Sequence, residues 1–502
     1  MLLSKLLKDL KYTSNNMKDV EISSIETDSR LVKQNSLFVA FDGKTHKGIE
    51  FLDDVISKGV VAVVIENKYE YKNDNVVVIK VDNPHTFAGQ LLQNYYNHEL
   101  PAHMMAVTGT KGKTSTAEFV RQILDNLNIR SASIGTLGVN CKEKEHEIKQ
   151  DCLTNQELVK FYSHIHNIKA NMHMDYAITE ASSQGLDSGR LGGLYPEIVG
   201  FTSFSQDHLN YHLTMEDYFR CKMLLFGEEH CTANTKFVIN GDMKETQTIY
   251  DICKKNNCKD ENILTFGHNG KVKLEKIDTQ LNYQTVFFSF NDKEYKFTTH
   301  LLGEFQAMNL LCAFCFVYFL NVASVEDILK AMEKVKAAEG RMNLAAKLKN
   351  GASVYIDFAH TASSLECVLK TTNEHLKKVG SGRSIMLFGL GGERDATKRP
   401  IMGKVSQDLA DFTIITNDNF RSEDPKQIRA DIEAGMDKSK HNYINFDGTR
   451  EEAIKYGIDI LQPNDILILA GKGQEKYTIE HGVQSYFNEF EIVENYIKEK
   501  NL

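Results

Sequence analysis

The run AHMMAVTGTKGKTST, residues 102–116, constrains this chain more than any other stretch. An unbroken apolar segment enters a glycine-rich turn and leaves it as a helix, the signature of a buried parallel strand feeding a phosphate loop. Successive backbone N–H groups in such a turn make a concave anion site, reinforced by the positive end of the helix. Gly109 and Gly112 allow phosphate to approach the backbone closely. Lys113 is placed to neutralise β- and γ-phosphates, and the Thr114 hydroxyl is placed for a magnesium ion. Strict spacing asks for glycine at position 107, where Val107 stands. An ordinary strand–helix turn is therefore the alternative for the pattern taken alone.

Around this loop the 502 residues divide into three sections, as length alone suggests. Short strand-like runs such as 36–41 and 60–65 alternate with helical pattern up to residues 97–100, closed by Pro101. The predicted domains are 1–100, 101–338 and 339–502. Strand-plus-helix units follow the loop at 175–180, 198–204 and 236–240, and alternating patterns between 270 and 300 (VKLEKI, TVFFSF, YKFTT) predict antiparallel hairpins. Helices are expected from Phe305 and over 325–335. The third section repeats strands (SVYIDFA, SIMLFGL, FTIITND, ILILAGK) separated by helical stretches. The predicted fold class is α/β: a small N-terminal α/β domain, a central parallel-sheet domain carrying the loop, and a Rossmann-like doubly wound C-terminal domain.

Composition narrows the function. Apolar residues are 42% and charged residues 25%, an ordinary globular balance, and a net charge of −9 argues against a general nucleic-acid binder. The opening MLLSKLLKDLKYTS reads as a short amphipathic helix rather than a signal peptide. The longest apolar run, 310–320, is about half of the ~20 residues that cross a bilayer and reads as a buried helix. Nine scattered cysteines form no disulfide framework, so Cys312 and Cys315 are expected to be packed core thiols and the compartment a reducing cytoplasm, without membrane insertion.

Candidate metal ligands lie downstream. Glu180 ends a predicted parallel strand, where ligands bind in such sheets, which makes it a plausible magnesium ligand. Asp207 and His208 follow the next strand, and Lys222 comes fourteen residues after His208 in an aromatic, apolar helix. Taken singly, each also reads as an exposed acid, a cap, a structural histidine or a surface lysine.

Together the blocks TDSRLVKQNSLFVAFDGKTHKG, GTKGKTS, EASS, DHLNYH, YFRCK, GEFQAMN, EGRMN, DFAHT, FGLGGERDATKRPIM, NDNFRSEDP and AGKGQEKY resemble, in order and over the whole chain, the Mur ligases of peptidoglycan synthesis. The resemblance implies a cytoplasmic, monomeric ligase that uses ATP and Mg2+ and adds a diamino acid to UDP-N-acetylmuramoyl-L-alanyl-D-glutamate. By the same resemblance, Gly109, Thr110, Lys111, Gly112, Lys113, Thr114 and Ser115 take the phosphates of ATP, and Asn309, Asp357 and His360 flank its nucleoside, with Arg341 and Lys398 nearby. Ser29, Lys44, Thr45 and His46 contact the uridine diphosphate. Thr154, Ser182 and Arg190 hold the muramoyl-peptide side. Glu180 and His208 bind magnesium with Thr114, and Lys222 matches a lysine that carbon dioxide converts to a carbamate, a metal ligand of reversed charge.

Arg394, Asp418, Asn419, Arg421, Gly471 and Glu475 match the positions that grip the incoming amino acid. A planar arginine fork suits a carboxylate. Meso-diaminopimelate carries a second carboxylate and ammonium for Arg421, Asp418 and Glu475, whereas lysine has no distal carboxylate, so diaminopimelate is favoured over lysine. A solvated turn is the other reading of Arg421. Departures from the family pattern stand at Phe420, Ala362 and Asn155 (proline elsewhere), Gln184 and Gln474 (histidine) and Gln306 (asparagine). They leave open a related ligase with another amine or acceptor, or a non-catalytic binder of nucleotide or UDP-precursor.

Overall fold

The computed structural model describes residues 1–14, 16–43, 46–143, 148, 154–280 and 283–502, apart from the Asn210 side chain. Two compact units form: Met1–Leu274 with Ser289–Glu294 and Met308–Met332, and Glu275–Phe288 with Tyr295–Ala307 and Glu333–Leu502. Among the described residues, no helix is long and apolar enough to cross a membrane.

The first unit holds two sheets. Strands β1 (Ser24–Glu26), β2 (Ser36–Val39), β3 (Ala62–Glu66) and β4 (Val77–Val81) make a small parallel sheet in chain order. The predicted N-terminal helix is only Leu3–Leu6, whose Leu3 and Leu6 are buried, and Asp9 turns left-handed at φ 61° soon after. The larger sheet begins with β5 (His103–Thr108), β6 (Ser131–Gly135), β7 (Gly138–Cys141), β8 (Tyr176–Glu180), β9 (Ile198–Phe201), β10 (Lys236–Asn240) and β11 (Ile263–Gly267). Their spatial order is β11-β10-β9-β5-β8-β6-β7, parallel except for β6 with β7. Met105, Ala106 and Val107 of β5 are fully buried, as both-face burial of a central parallel strand requires. Register places Val107 opposite Glu180 and Thr108 opposite Phe201, so the carboxyl ends of β5, β8 and β9 open at one place.

The apolar run folds as the helix Glu304–Leu320, with residues 310–317 fully buried, including Cys312 and Cys315 as free thiols. Gly200 in β9 lets Phe316 come close: a Cβ there would lie 2.5 Å from its ring. The alternating segments become β12 (Val272–Thr279), β13 (Gln284–Phe290) and β14 (Lys293–Thr299), neighbours in one sheet, and β13 alternates between buried and half-buried residues.

The second unit is built on β15 (Asn343–Lys347), β16 (Ser353–Asp357), β17 (Ser384–Phe388), β18 (Phe412–Ile415), β19 (Tyr443–Asn445) and β20 (Ile466–Ala470), in the order β15-β16-β20-β17-β18-β19. Only β15 runs antiparallel. Alternate residues feed two cores: Met386, Phe388 and Ile468 belong to one, Ile385, Leu387 and Leu467 to the other. The sheet is therefore covered on both faces, as a doubly wound fold demands. Full burial of each such side chain contributes roughly 1.5–3 kcal/mol. A small hairpin, β21 (Tyr477–Glu480) and β22 (Val483–Tyr486), stands outside this sheet. Strands β6, β7, β15, β19, β21 and β22 go beyond the sequence expectation. SASIG lacks strong strand formers, YIN spans three residues, and the others sit at edges where alternation is weak.

Candidate active site

The phosphate loop forms as expected between β5 and the helix Lys113–Asn126. Gly112, at φ 87°, occupies the left-handed region that permits the turn, and Gly109 lies at φ 144°. Neither tolerates a side chain: a Cβ on Gly109 would lie 2.0 Å from Thr202 Oγ1, and one on Gly112 2.4 Å from Asn309 Oδ1. Asn309 is thereby seated against the loop. Ser203 and Ser205, after β9, brace the loop through Lys111 N–H to Ser203 Oγ (2.9 Å) and Ser205 N–H to Thr110 Oγ1 (3.1 Å). Lys113 Nζ donates to the carbonyls of Gly109 (3.0 Å) and Thr110 (3.1 Å). Ser115 is buried in the first turn.

Two groups of predicted ligands gather around this loop. Thr114 Oγ1 donates to Glu180 Oε2 at 2.9 Å, and Thr136 N–H donates to Glu180 Oε1 at 2.7 Å. Gly135 makes room, since a Cβ there would lie 2.1 Å from Glu180 Oε1. Lys222, only 1% exposed, donates from Nζ to Gly109 O at 2.7 Å, and its ammonium lies 4.5 Å from the Tyr218 ring centre. Burial, aided by Lys113, pushes Lys222 well below its ordinary value. His208 is half-exposed, with φ 52°, and its partial burial and the Lys113 and Lys222 cations lower its pKa against the pull of Asp207. A carboxylate, a hydroxyl, an imidazole and a carbamate oxygen formed on Lys222 would make the hard, oxygen-rich set that magnesium takes. The neutral amine is the form of lysine that reacts with carbon dioxide, and the burial of Lys222 shifts its balance toward that form.

The muramoyl-peptide candidates form a third group, organised by Asn155. Its Oδ1 accepts from Ser182 N–H and Oγ–H, both at 2.8 Å, and its Nδ2 donates to Glu180 O at 2.6 Å. Arg190 Nη1 donates to Asn155 O at 3.2 Å while Nη2 pairs with Glu157 at 2.9 Å. Thr154 Oγ1 lies 3.3 Å from Thr136 Oγ1, which links this group to Glu180. Ser29 follows β1, its carbonyl accepting from Lys58 Nζ at 3.1 Å, and exposed His46 follows β2. Among the described residues no hydrogen bond or ion pair ties Ser29 or His46 to Thr154, Ser182 or Arg190. Lys44 and Thr45 lie outside the described residues.

In the second unit, Asp357 ends β16 and accepts from the N–H groups of Met342 and Ala359, both at 2.7 Å. His360 is exposed, its carbonyl accepting from Lys398 Nζ at 2.9 Å, and Arg341 lies 4.9 Å from the Phe358 ring centre. The amino-acid candidates cluster at the carboxyl ends of β17, β18 and β20. Arg421 reaches Gly391, where a Cβ would lie 3.0 Å from its Nη1, and the Cγ of Arg394, three residues on, would lie 3.7 Å from the same point. Arg421 Nη1 donates to Gly392 O at 2.7 Å and Asn419 O at 3.2 Å. Asn419 Nδ2 donates to Glu475 Oε2 at 2.9 Å. Gly471, at φ 112°, leaves space for Asp418, whose Oδ2 would lie 2.9 Å from a Cβ there.

Lys472 and Arg450, absent from the sequence reading, complete the charge balance. Lys472 Nζ is 3.4 Å from Asp418 Oδ1 and donates to Asn419 Oδ1 at 2.9 Å, and Arg450 Nη1 is 3.9 Å from Asp418 Oδ2. Burial alone would raise the Asp418 carboxyl, but these cations outweigh it and hold it below the usual range. Burial and the Asp418 charge instead push Glu475 up.

Residues 107–317 match the Mur ligase middle domain, residues 340–473 the Mur ligase, glutamate ligase domain, and residues 21–96 the Mur ligase family, catalytic domain. The UDP-N-acetylmuramoyl-L-alanyl-D-glutamate--2,6-diaminopimelate ligase of Rickettsia typhi is 36% identical over 492 residues, 97% of this chain and 96% of its own. The chain belongs to the Mur ligase family. It is an ATP-dependent ligase with that family's three-domain α/β fold. The Fusobacterium nucleatum ligase of the same name is 34% identical, covering 99% of this chain and 97% of its own. A solved structure of a ligase so named superposes with a TM-score of 0.71 at 27% identity, over 100% of this chain and 99% of that one. Mycobacterium tuberculosis folylpolyglutamate synthase complexed with ADP shares the fold, with a TM-score of 0.61 at 14% identity over 76% of this chain and 90% of its own.

Two features of this Mur ligase escaped the sequence reading for one reason. Asn155 and Lys472 are polar residues in loops, where no periodicity marks a partner. The signals present were indirect: Asn155 as a departure, and Lys472 between two glycines just after a strand.

Proposed function

We propose that this chain joins a diamino acid, diaminopimelate in preference to lysine, to UDP-N-acetylmuramoyl-L-alanyl-D-glutamate during peptidoglycan precursor synthesis in the cytoplasm. The observation that carries the choice of amine is the approach of Arg421 Nη1 to Gly391, on the loop that also carries Arg394, with Asn419 bonded to Glu475. Two guanidinium forks suit an amino acid with two carboxylates. The distal ammonium falls to Glu475, because Asp418 is already engaged by Lys472 and Arg450. The names of the full-length relatives point the same way.

In this reading the phosphates of ATP lie on the loop from Gly109 to Ser115. The acceptor's terminal carboxylate, oriented by the Asn155-anchored Ser182 and Arg190, attacks the γ-phosphorus, and ADP leaves. Lys113 stabilises charge on the phosphoryl oxygens. The amine of the diamino acid attacks the acyl carbon, loses a proton, and phosphate departs to leave the amide. Thr114, Glu180, His208 and Lys222 as its carbamate would hold Mg2+, which neutralises phosphate charge when bound. The chain acts as a monomer with domain limits near residues 100 and 338.

The test is ligation of the UDP-muramoyl dipeptide with ATP and Mg2+, offering diaminopimelate, lysine and ornithine in parallel, with products weighed by mass spectrometry. A diaminopimelate product is expected. A lysine product would overturn the arginine assignment, and absence of any product with ATP bound would move the chain to a different acceptor or amine. A binder without catalysis would release no acceptor-dependent ADP.

A further inference from the structure

A second set of metal-binding side chains lies beside Lys222 and has no part in the reading above. His212 ends the short helix Leu209–His212, and Asp217 and Cys221 sit on the helix Met215–Met223. Four residues apart, Asp217 and Cys221 share one helix face. That face meets the imidazole, and the donor atoms of all three lie within 4.8 Å of one another. His212 Nδ1 is 3.5 Å from Asp217 Oδ2, while its Nε2 is held 2.9 Å from Ser183 Oγ. Anchoring the far nitrogen in this way fixes the orientation of the ring, as around metal-bound histidines. His212 and Cys221 are buried, and the exposed Arg220 closes the solvent side, donating to Asp217 Oδ1 at 2.8 Å and to Cys221 Sγ at 3.3 Å.

We propose that His212, Asp217 and Cys221 form a binding site for a divalent cation of the zinc class. One imidazole nitrogen, one carboxylate oxygen and one thiolate sulfur are a donor set that zinc-like ions accept and magnesium avoids. Tetrahedral coordination at zinc bond lengths puts donors about 3.3–3.8 Å apart, so the His212–Asp217 spacing of 3.5 Å already fits, and any wider spacing within the 4.8 Å limit must close on binding. Binding releases the thiol proton to solvent, displaces the Arg220 guanidinium and leaves a fourth position for water. Since Cys221 immediately precedes Lys222, an occupied site clamps the turn of helix that carries the lysine.

The full chain, freed of metal by chelation and then saturated with Mg2+ and a non-hydrolysable ATP analogue, is titrated with Co2+. One equivalent is expected to bind with a thiolate-to-cobalt charge-transfer band in the near ultraviolet, and Zn2+ should displace it. Cys221→Ser should remove the band. Asp217→Asn, a partly exposed position that spares the core, should weaken binding by ~10-fold or more. Arg220→Ala should tighten it. No charge-transfer band in the parent chain, or a band that survives in Cys221→Ser, overturns the proposal.

Discussion

A lysine buried to 1% exposure beside another cation is a burden on stability whatever its chemical role. Because burial lowers the folded pKa of Lys222, the unfolded chain binds more protons between that value and the ordinary 10.5. Stability therefore rises with pH across this window. Lys222→Met is expected to stabilise the protein by about 1–3 kcal/mol near neutral pH in carbon-dioxide-free buffer. It should also flatten the rise of stability with pH and abolish ligation, as denaturant curves and ADP release would show. A Lys222→Met chain that still ligates would remove the lysine from the metal set. Lys113→Ala should lose at least ~100-fold in turnover, since it withdraws the charge poised over the phosphates. Asn155 makes a different prediction. Its side-chain amide ties Glu180 and Ser182, while Arg190 holds the backbone carbonyl, so Asn155→Ala should cost about 1–3 kcal/mol and raise KM for the UDP-muramoyl dipeptide more than KM for ATP.

At the scale of elements, the DNFR turn shows how a lost constraint is replaced. Phe420 stands where the family pattern has proline, and Arg421 adopts φ 54°, an uncommon conformation for any residue other than glycine. The hairpin β21–β22 holds it there: Arg421 N–H donates to Ile479 O at 3.0 Å, and His481 N–H donates to Arg421 O at 2.6 Å. Phe420 and His481 pack edge to face with ring centres 5.2 Å apart. His481→Ala should therefore raise KM for the diamino acid several-fold while leaving kcat and KM for ATP nearly unchanged, and His481→Phe should restore it. Strand runs of four or more apolar residues were legible from the sequence, because burial on both faces leaves a continuous signal. This hairpin was not. Its outer strand, VQSY, is exposed, so no burial pattern was written into it.

For the whole molecule, the even scatter of cysteines becomes a measurable property. Of the eight described thiols, seven are buried and only Cys367 is partly accessible, with no disulfide among them. Of these eight, only Cys367 should react rapidly with a thiol reagent under native conditions, all nine cysteines reacting after denaturation, and reductant should leave the thermal midpoint unchanged. The sequence by itself determined the class of fold, the phosphate loop and the chemistry of the family, because apolar runs, glycine turns and block order are local and survive without coordinates. Tertiary structure alone decided that Asn155 anchors three site residues, that Asp418 is neutralised by Lys472 and Arg450, and that Arg421 reaches back to Gly391 and Gly392. These contacts join residues far apart in the chain, and strand order and register bring them together.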